Sequence, residues 1–203
     1  MLSLLYRILD TLFPVRDSEL LVRHATISDV KSLVSFSSYQ ETATLLSYEL
    51  PLVRALVHEN KFYNSEKAQL LLACALETWY AKHPDEIIFV PIPLSAKRQK
   101  ERGFNQVHTV LKRVPGLPKQ MILRAVLIRS RDTAAQSTLS KAERLLNVKG
   151  AFAIATLPKD LSGKTIVLID DVITTGSTMA AARASLAPHL PPSTKLITLA
   201  LAH

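Results

Sequence analysis

The sequence predicts an α/β fold, a mostly parallel sheet flanked by helices, and three observations carry that expectation. Short apolar runs alternate along the chain with segments of helical period, the order that builds β-α-β units. The best runs, residues 86–90 and 164–170, are apolar at successive rather than alternate positions, as strands covered on both faces are. The second run leads into two acids, a glycine-containing turn and a helix. Such sheets hold their ligands there, at the carboxyl end of a strand.

Taken in order, apolar residues at 2, 5, 8, 9, 12 and 13 suggest a short amphipathic helix ending at Pro14, while residues 28–39 are Ser-rich and without period. Leu52, Val53, Leu56 and Val57 mark a helix opened by Pro51, which the first turn tolerates. Ser65 is placed to cap a longer helix with the stripe Ala68, Leu71, Leu72, Ala75, Leu76 and Trp79, stopped by His83-Pro84. A buried strand is expected over 86–90, followed by the turn Pro91-Ile92-Pro93. A helix over 104–114 carries Phe104, Val107, Leu111 and Val114 on one face, with Asn105 or Gln106 available to cap it. A second strand is expected over 121–128, a mobile basic loop over 129–140, a short helix near 141–146 and a minor strand over 151–156. The run 164–170 is the strongest strand, and the helix after it spans 177–190 with Met179, Ala182 and Leu186 inward. An apolar strand over 195–201 follows. This reading divides the chain into an N-terminal helical or irregular segment, 1–45, and a main domain, 46–203.

Composition narrows the classes. The 203 residues are 48% hydrophobic and 21% charged, a globular profile, and no apolar run approaches the roughly 18 residues of a membrane span. Residues 1–10 lack a basic leader and a small-residue cleavage site, so no signal peptide and a cytoplasmic location are expected. The single cysteine, Cys74, excludes an internal disulfide or a cysteine zinc cluster and fits a core position. Histidines 24, 58, 83, 108, 189 and 203 have no metal-ligand spacing. The net charge is +8, but it is concentrated: residues 97–149 hold thirteen Lys or Arg against three acids, and the remainder of the chain is slightly acidic. A basic middle third calls for an anionic partner, a polyphosphate or a nucleic acid.

The chemistry is concentrated in residues 166–179. Asp170 and Asp171 end an apolar strand, where burial is costly unless polar groups engage them. Thr174, Thr175, Gly176, Ser177 and Thr178 then offer hydroxyls, a flexible glycine and free backbone N–H groups at a helix start, which suits an anion. Helix capping alone accounts for one acid and not for two. The triplet Gly163-Lys164-Thr165 imitates the end of a nucleotide-binding P-loop, but Pro158 stands where that loop needs glycine and a strand follows instead of a helix.

Residues 166–179 resemble the signature of type I phosphoribosyltransferases. A second set narrows the resemblance: Val90-Pro91-Ile92-Pro93, Arg98, Glu101-Arg102-Gly103-Phe104-Asn105-Gln106, Arg129, Thr133, Gln136, Leu139, Arg144, Asn147 and Gly150-Ala151-Phe152 together look like the ComF competence-protein family, over about residues 45–203. The resemblance implies a type I phosphoribosyltransferase-like fold with a small N-terminal helical hood. It makes Asp170 and Asp171 partners of the ribose hydroxyls and 174–178 the cradle of the 5′-phosphate. Lys97, Arg98 and Arg102 are then placed to hold pyrophosphate, and a lid over 129–144 brings Arg129, Arg131, Lys141 or Arg144 over the site, Arg144 matching a family position. Mg²⁺ is expected with phosphoribosyl diphosphate. Many members carry a four-cysteine zinc finger after a Leu-Phe-Pro segment; here Leu12-Phe13-Pro14 is present, but residues 15–25 hold no cysteine, so no zinc is expected.

Three functions fit these residues. The first is a phosphoribosyltransferase of unknown acceptor, the acceptor meeting a hood built from residues 1–80. The second is an accessory protein of natural competence that touches single-stranded DNA or an ATPase partner, although the basic segment lacks interleaved aromatic residues beyond Phe104. The third is a sensor of phosphoribosyl diphosphate without turnover.

Overall fold

The computed structural model describes residues 15–83, 86–129 and 150–203. Helices α1 (Asp17–His24) and α2 (Ile27–Leu33) precede a hairpin of β1 (Ser37–Tyr39) and β2 (Thr42–Leu46). Helices α3 (Pro51–Tyr63) and α4 (Glu66–Tyr80) lead to β3 (Ile87–Pro91), α5 (Ala96–Arg102) and α6 (Gln106–Leu111). The short strands β4 (Leu127–Arg129) and β5 (Phe152–Ile154) come next, then β6 (Thr165–Val172), α7 (Ser177–Leu186) and β7 (Lys195–Ala202).

The main sheet has the order β1-β2-β7-β6-β3, parallel throughout except for β1, which returns antiparallel to β2 at one edge. Alternation along each strand divides the core in two. Leu45, Phe89, Val167, Ile169, Leu199 and Leu201 face α3, α4 and α6, through Val53, Leu56, Leu72, Leu76, Val107 and Leu111. Ile88, Val90, Ile166 and Leu168 face α7, through Met179, Ala182 and Leu186, the three positions expected to point inward. The N-terminal helices stand over the first face and share its core. Because β2 pairs with β7 from Thr42–Thr198 to Leu46–Ala202, residues on both sides of position 45 belong to one sheet.

Several starts follow from local chemistry. Pro51 opens α3, and the Ser65 hydroxyl accepts from the Ala68 N–H to start α4. Cys74 is buried in α4 as a small core residue. Other elements differ from expectation. The helix read over 104–114 begins at Gln106, because Asn105 Oδ1 accepts from the Val107 and His108 N–H groups and so caps it. The turn after Pro93 continues into α5, capped by Ser95. Residues 121–128 are not a strand of the main sheet. A 3₁₀ turn, Lys119–Met121, and a single bridge from Ile122 to Phe89 precede β4, which pairs only with β5. The segment read as aperiodic contains α2, started by a reciprocal Thr26–Asp29 capping box, whose signal is four residues long and carries no hydrophobic period. The helix expected over 1–14 and the loop and helix expected over 130–146 lie outside the described residues.

Candidate functional site

The strand predicted to end at Asp170 continues to Val172, because β7 keeps pairing with it: Asp170 lies opposite Ala200 and Val172 opposite Ala202. Both acids therefore lie inside β6, and alternation starts their side chains from opposite faces. Asp171 shares the face of Val167 and Ile169 and is only 6% exposed. Its Oδ1 accepts from the Val172 N–H at 2.9 Å and its Oδ2 from Gln106 Nε2 at 3.1 Å, with Lys61 Nζ 3.8 Å from the same oxygen. Asp170 begins on the α7 side and turns its Oδ1 back to accept from the Asp171 N–H at 2.8 Å. Burial, and then the neighbouring Asp171 charge, push the Asp170 carboxyl up to about 8.

The turn after β6 ends at Gly176, whose φ of +69° a residue with a Cβ adopts only under strain. A Cβ there would also lie 2.3 Å from Gln40 Oε1 at the tip of the β1–β2 hairpin. Gly176 is the N-cap residue of α7 and has no side chain to cap that end. Among the described residues no side chain accepts from the first N–H groups of α7, which lie beside the exposed Thr174 and Thr175 and the half-buried Ser177 and Thr178. The Thr175 and Ser177 hydroxyls lie 3.0 Å apart. All five predicted residues of this turn sit together at the carboxyl end of the sheet.

The basic half comes from the segment after β3. Asn105 Nδ2 donates to the Ile92 carbonyl at 2.8 Å and ties α6 to the end of that strand. Arg98 is exposed on α5, and Arg102 is half-buried one turn later, its guanidinium 5.4 Å from the centre of the Phe62 ring. Burial pulls the Arg102 pKa down, against the attraction of Asp171 and, more weakly, Asp170. Arg102 Nη1 donates to Gln106 Oε1 at 3.2 Å, so the predicted Arg102 and the predicted acids are joined through Gln106. Arg144 lies outside the described residues.

Beyond Val172, the ends of β2, β6 and β7 enclose a cavity of about 390 Å³ lined by Ser47, Tyr48, Glu49, Arg54, Val172, Ile173, Thr174 and His203. Two contributors to the site carry no local signal for their contact with Asp171. Lys61 is a lone cation at the end of α3, outside the basic segment. Gln106 reads locally as a helix cap, and its partner Asp171 is 65 residues away. Among the described residues no three His, Cys, Asp or Glu side chains gather as a metal site, and no helix is long and apolar enough to cross a membrane.

Comparison with known proteins shows the family to which this fold belongs. The phosphoribosyl transferase domain family matches residues 102–203, half of the chain. Competence protein F of Haemophilus influenzae is 32% identical over 132 residues, 63% of this chain and 57% of that protein. The DNA utilization protein YhgH of Escherichia coli K12 is 34% identical over 152 residues, 70% of this chain and 63% of that protein. Competence protein ComFC of Bacillus subtilis is 35% identical over 103 residues, 50% of this chain and 39% of that protein. The chain thus spans less than two thirds of the length of these relatives.

Proposed function

The chain belongs to the phosphoribosyl transferase domain family, as a ComF-type member, and on that premise we propose that it binds phosphoribosyl diphosphate in the cytoplasm and, with an acceptor, transfers the phosphoribosyl group. The observation that carries this reading is the start of α7, uncapped among the described residues, just after a half-buried Asp170 and a buried Asp171, with Arg102 joined to Asp171 through Gln106. The 5′-phosphate would accept from the N–H groups and hydroxyls of residues 174–178, Asp170 and Asp171 would hold the ribose hydroxyls, and Arg98 and Arg102 the diphosphate.

Mg²⁺ suits this donor set. Two close carboxylates, one with its ionised form disfavoured by burial and then by the other, would gain from a divalent cation, and an ion with so few protein ligands would keep waters and take the ligand's own oxygens. When bound it would supply positive charge to the diphosphate. In transfer, a nucleophile forms a bond to ribose C1 as the bond to diphosphate oxygen breaks, and pyrophosphate leaves with the electron pair. The chain would contribute by fixing the ribose and holding the leaving group's charge, both stronger in a site closed from water. The cavity beside Thr174 and His203, with Ser47 to Arg54 on its rim, adjoins the end of β6 and would be the place for the acceptor.

Isothermal titration with phosphoribosyl diphosphate and Mg²⁺ tests the reading. Binding is expected, and the pair Asp170→Asn with Asp171→Asn abolishes it; absence of binding to the parent protein sinks the proposal. Pyrophosphate release with a panel of bases and amines then separates a transferase from a sensor.

A second reading, handling of single-stranded DNA, gains from one feature. Phe62 and Tyr63 are exposed on α3, the Arg16 guanidinium lies 3.5 Å from the centre of the Tyr63 ring, and Lys61 and Arg102 flank Phe62. The fold thus adds Arg16 and Arg102, from distant parts of the chain, to the run Lys61-Phe62-Tyr63, and aromatic rings beside cations are the pattern of single-strand platforms. Steeply salt-dependent binding of an oligonucleotide, weakened by Phe62→Ala, is the expected result; salt-independent binding, or none, removes this reading.

A further inference from the structure

Gln106 stands between a cation and an anion. Its Oε1 accepts from Arg102 Nη1 at 3.2 Å and its Nε2 donates to Asp171 Oδ2 at 3.1 Å. Arg102 can only donate and an ionised Asp171 can only accept, so the two partners dictate which end of the amide faces which. A glutamate here would serve Arg102 and repel Asp171, whereas a lysine would do the reverse. A neutral side chain carrying both an acceptor and a donor meets both demands.

The amide is also held from behind. Gln106 is 4% exposed, and its backbone carbonyl accepts from Asn60 Nδ2 at 3.0 Å and from Thr109 Oγ1 at 2.8 Å. Asn105 caps the same turn and anchors it to the end of β3. A side chain with so little freedom transmits a position instead of absorbing it.

We propose that Gln106 is a positioning residue that couples Arg102, at the diphosphate end of the site, to Asp171, at its ribose end, so that the two halves keep one spacing. The assignment of those ends rests on the proposed function; the coupling itself does not.

Two measurements separate them. The first needs no ligand: Arg102→Ala, Asp171→Asn and their combination are compared by urea unfolding, with Gln106 and with Gln106→Met. Non-additivity is expected with glutamine and a several-fold smaller one with methionine, leaving only the direct attraction of the two charges; equal non-additivity in both overturns the coupling. The second is binding of phosphoribosyl diphosphate with Mg²⁺. Gln106→Met is expected to weaken it about tenfold, and much less when Arg102 is already alanine. The same loss in both backgrounds assigns Gln106 a merely structural role and overturns the proposal. If the parent protein does not bind the ligand, the proposed function fails and the unfolding cycle alone decides the coupling.

Gln106→Glu guards against a misfolded methionine variant, since it keeps the shape and the Arg102 contact. Ionised, it faces Asp171 and Asp170, with Lys61 and Arg102 to offset it among the described residues; protonated, its O–H donates to Asp171 as the amide does. Unfolding midpoints of this variant relative to the parent should recover as pH falls through the carboxylate range. A constant difference from the parent overturns the proposal.

Discussion

The Asp171 N–H donates to Asp170 Oδ1 at 2.8 Å, so two acids that start from opposite faces of one strand end with their charges close together. Asp171 has the partners: Gln106, the Val172 N–H and Lys61. Asp170 has the penalty, burial first and the Asp171 charge second. The pair is a stored electrostatic cost that a cationic ligand would relieve.

Asp170→Asn should therefore stabilise the protein. The ordinary carboxyl value is 3.8 and the folded one about 8. The unfolded chain loses this proton first, and the stability present below about pH 4 is lost as pH rises through 8. Asparagine keeps an acceptor for the Asp171 N–H without the charge. Urea unfolding at pH 8 should show the variant more stable by over about 1 kcal/mol, and at pH 4 the two should converge. The same variant should lose ligand binding.

His108 gives a slope of opposite sign. Burial, then Arg124 and Lys112, depress it from 6.5 to about 4, so the unfolded chain takes up this proton first as pH falls. Its stability contribution is present above 6.5 and lost by about 4, at most roughly 3 kcal/mol. Between pH 4 and 6.5 the two groups oppose each other, and above 6.5 only Asp170 acts. The contributions of these groups leave the parent profile level and then falling, make Asp170→Asn rise to 6.5 and level off, and make His108→Phe fall across the whole range. Three unfolding series against pH check this.

Gly176→Ala combines two faults, the positive φ and the contact with Gln40 Oε1. The contact involves the end of a flexible side chain and can be relieved, whereas the backbone strain cannot. A loss of about 1–2 kcal/mol is expected in urea unfolding, and adding Gln40→Ala should restore only part of it. Full restoration would assign the glycine to the contact alone.

Glu59 ties the N-terminal helices to α3. It is 2% exposed and accepts from Arg16 Nη2 at 2.9 Å and Ser18 Oγ at 2.7 Å. Burial raises its carboxyl, but the bonds from Arg16 and Ser18 outweigh that and hold it below the ordinary 4.5. Its contribution is thus present above that value and lost as pH falls below it. Glu59→Gln should cost about 1–3 kcal/mol at pH 7, with the difference narrowing in acid.

By itself the sequence determined the parts whose signal is local. The runs 86–90 and 164–170, the stripe from Ala68 to Trp79, the Ser65 cap and the turn 174–178 each follow from neighbouring residues, and together they specify a parallel sheet with a glycine turn opening a helix at the end of a strand. Only the tertiary structure decided how far β6 runs, because that depends on pairing with β7. It also decided that Asp170 and Asp171 differ, because Asp171 gains Lys61 of α3 and Gln106 of α6 while Asp170 is bonded to the neighbouring Asp171 N–H. The fold also placed the Phe62 ring beside Arg102, forty residues later in the chain, a neighbour that the linear sequence does not show. Gln106 reads locally as a helix cap, and the fold makes it the link between Arg102 and Asp171, since an amide finds a cation and a carboxylate together only where separate elements converge.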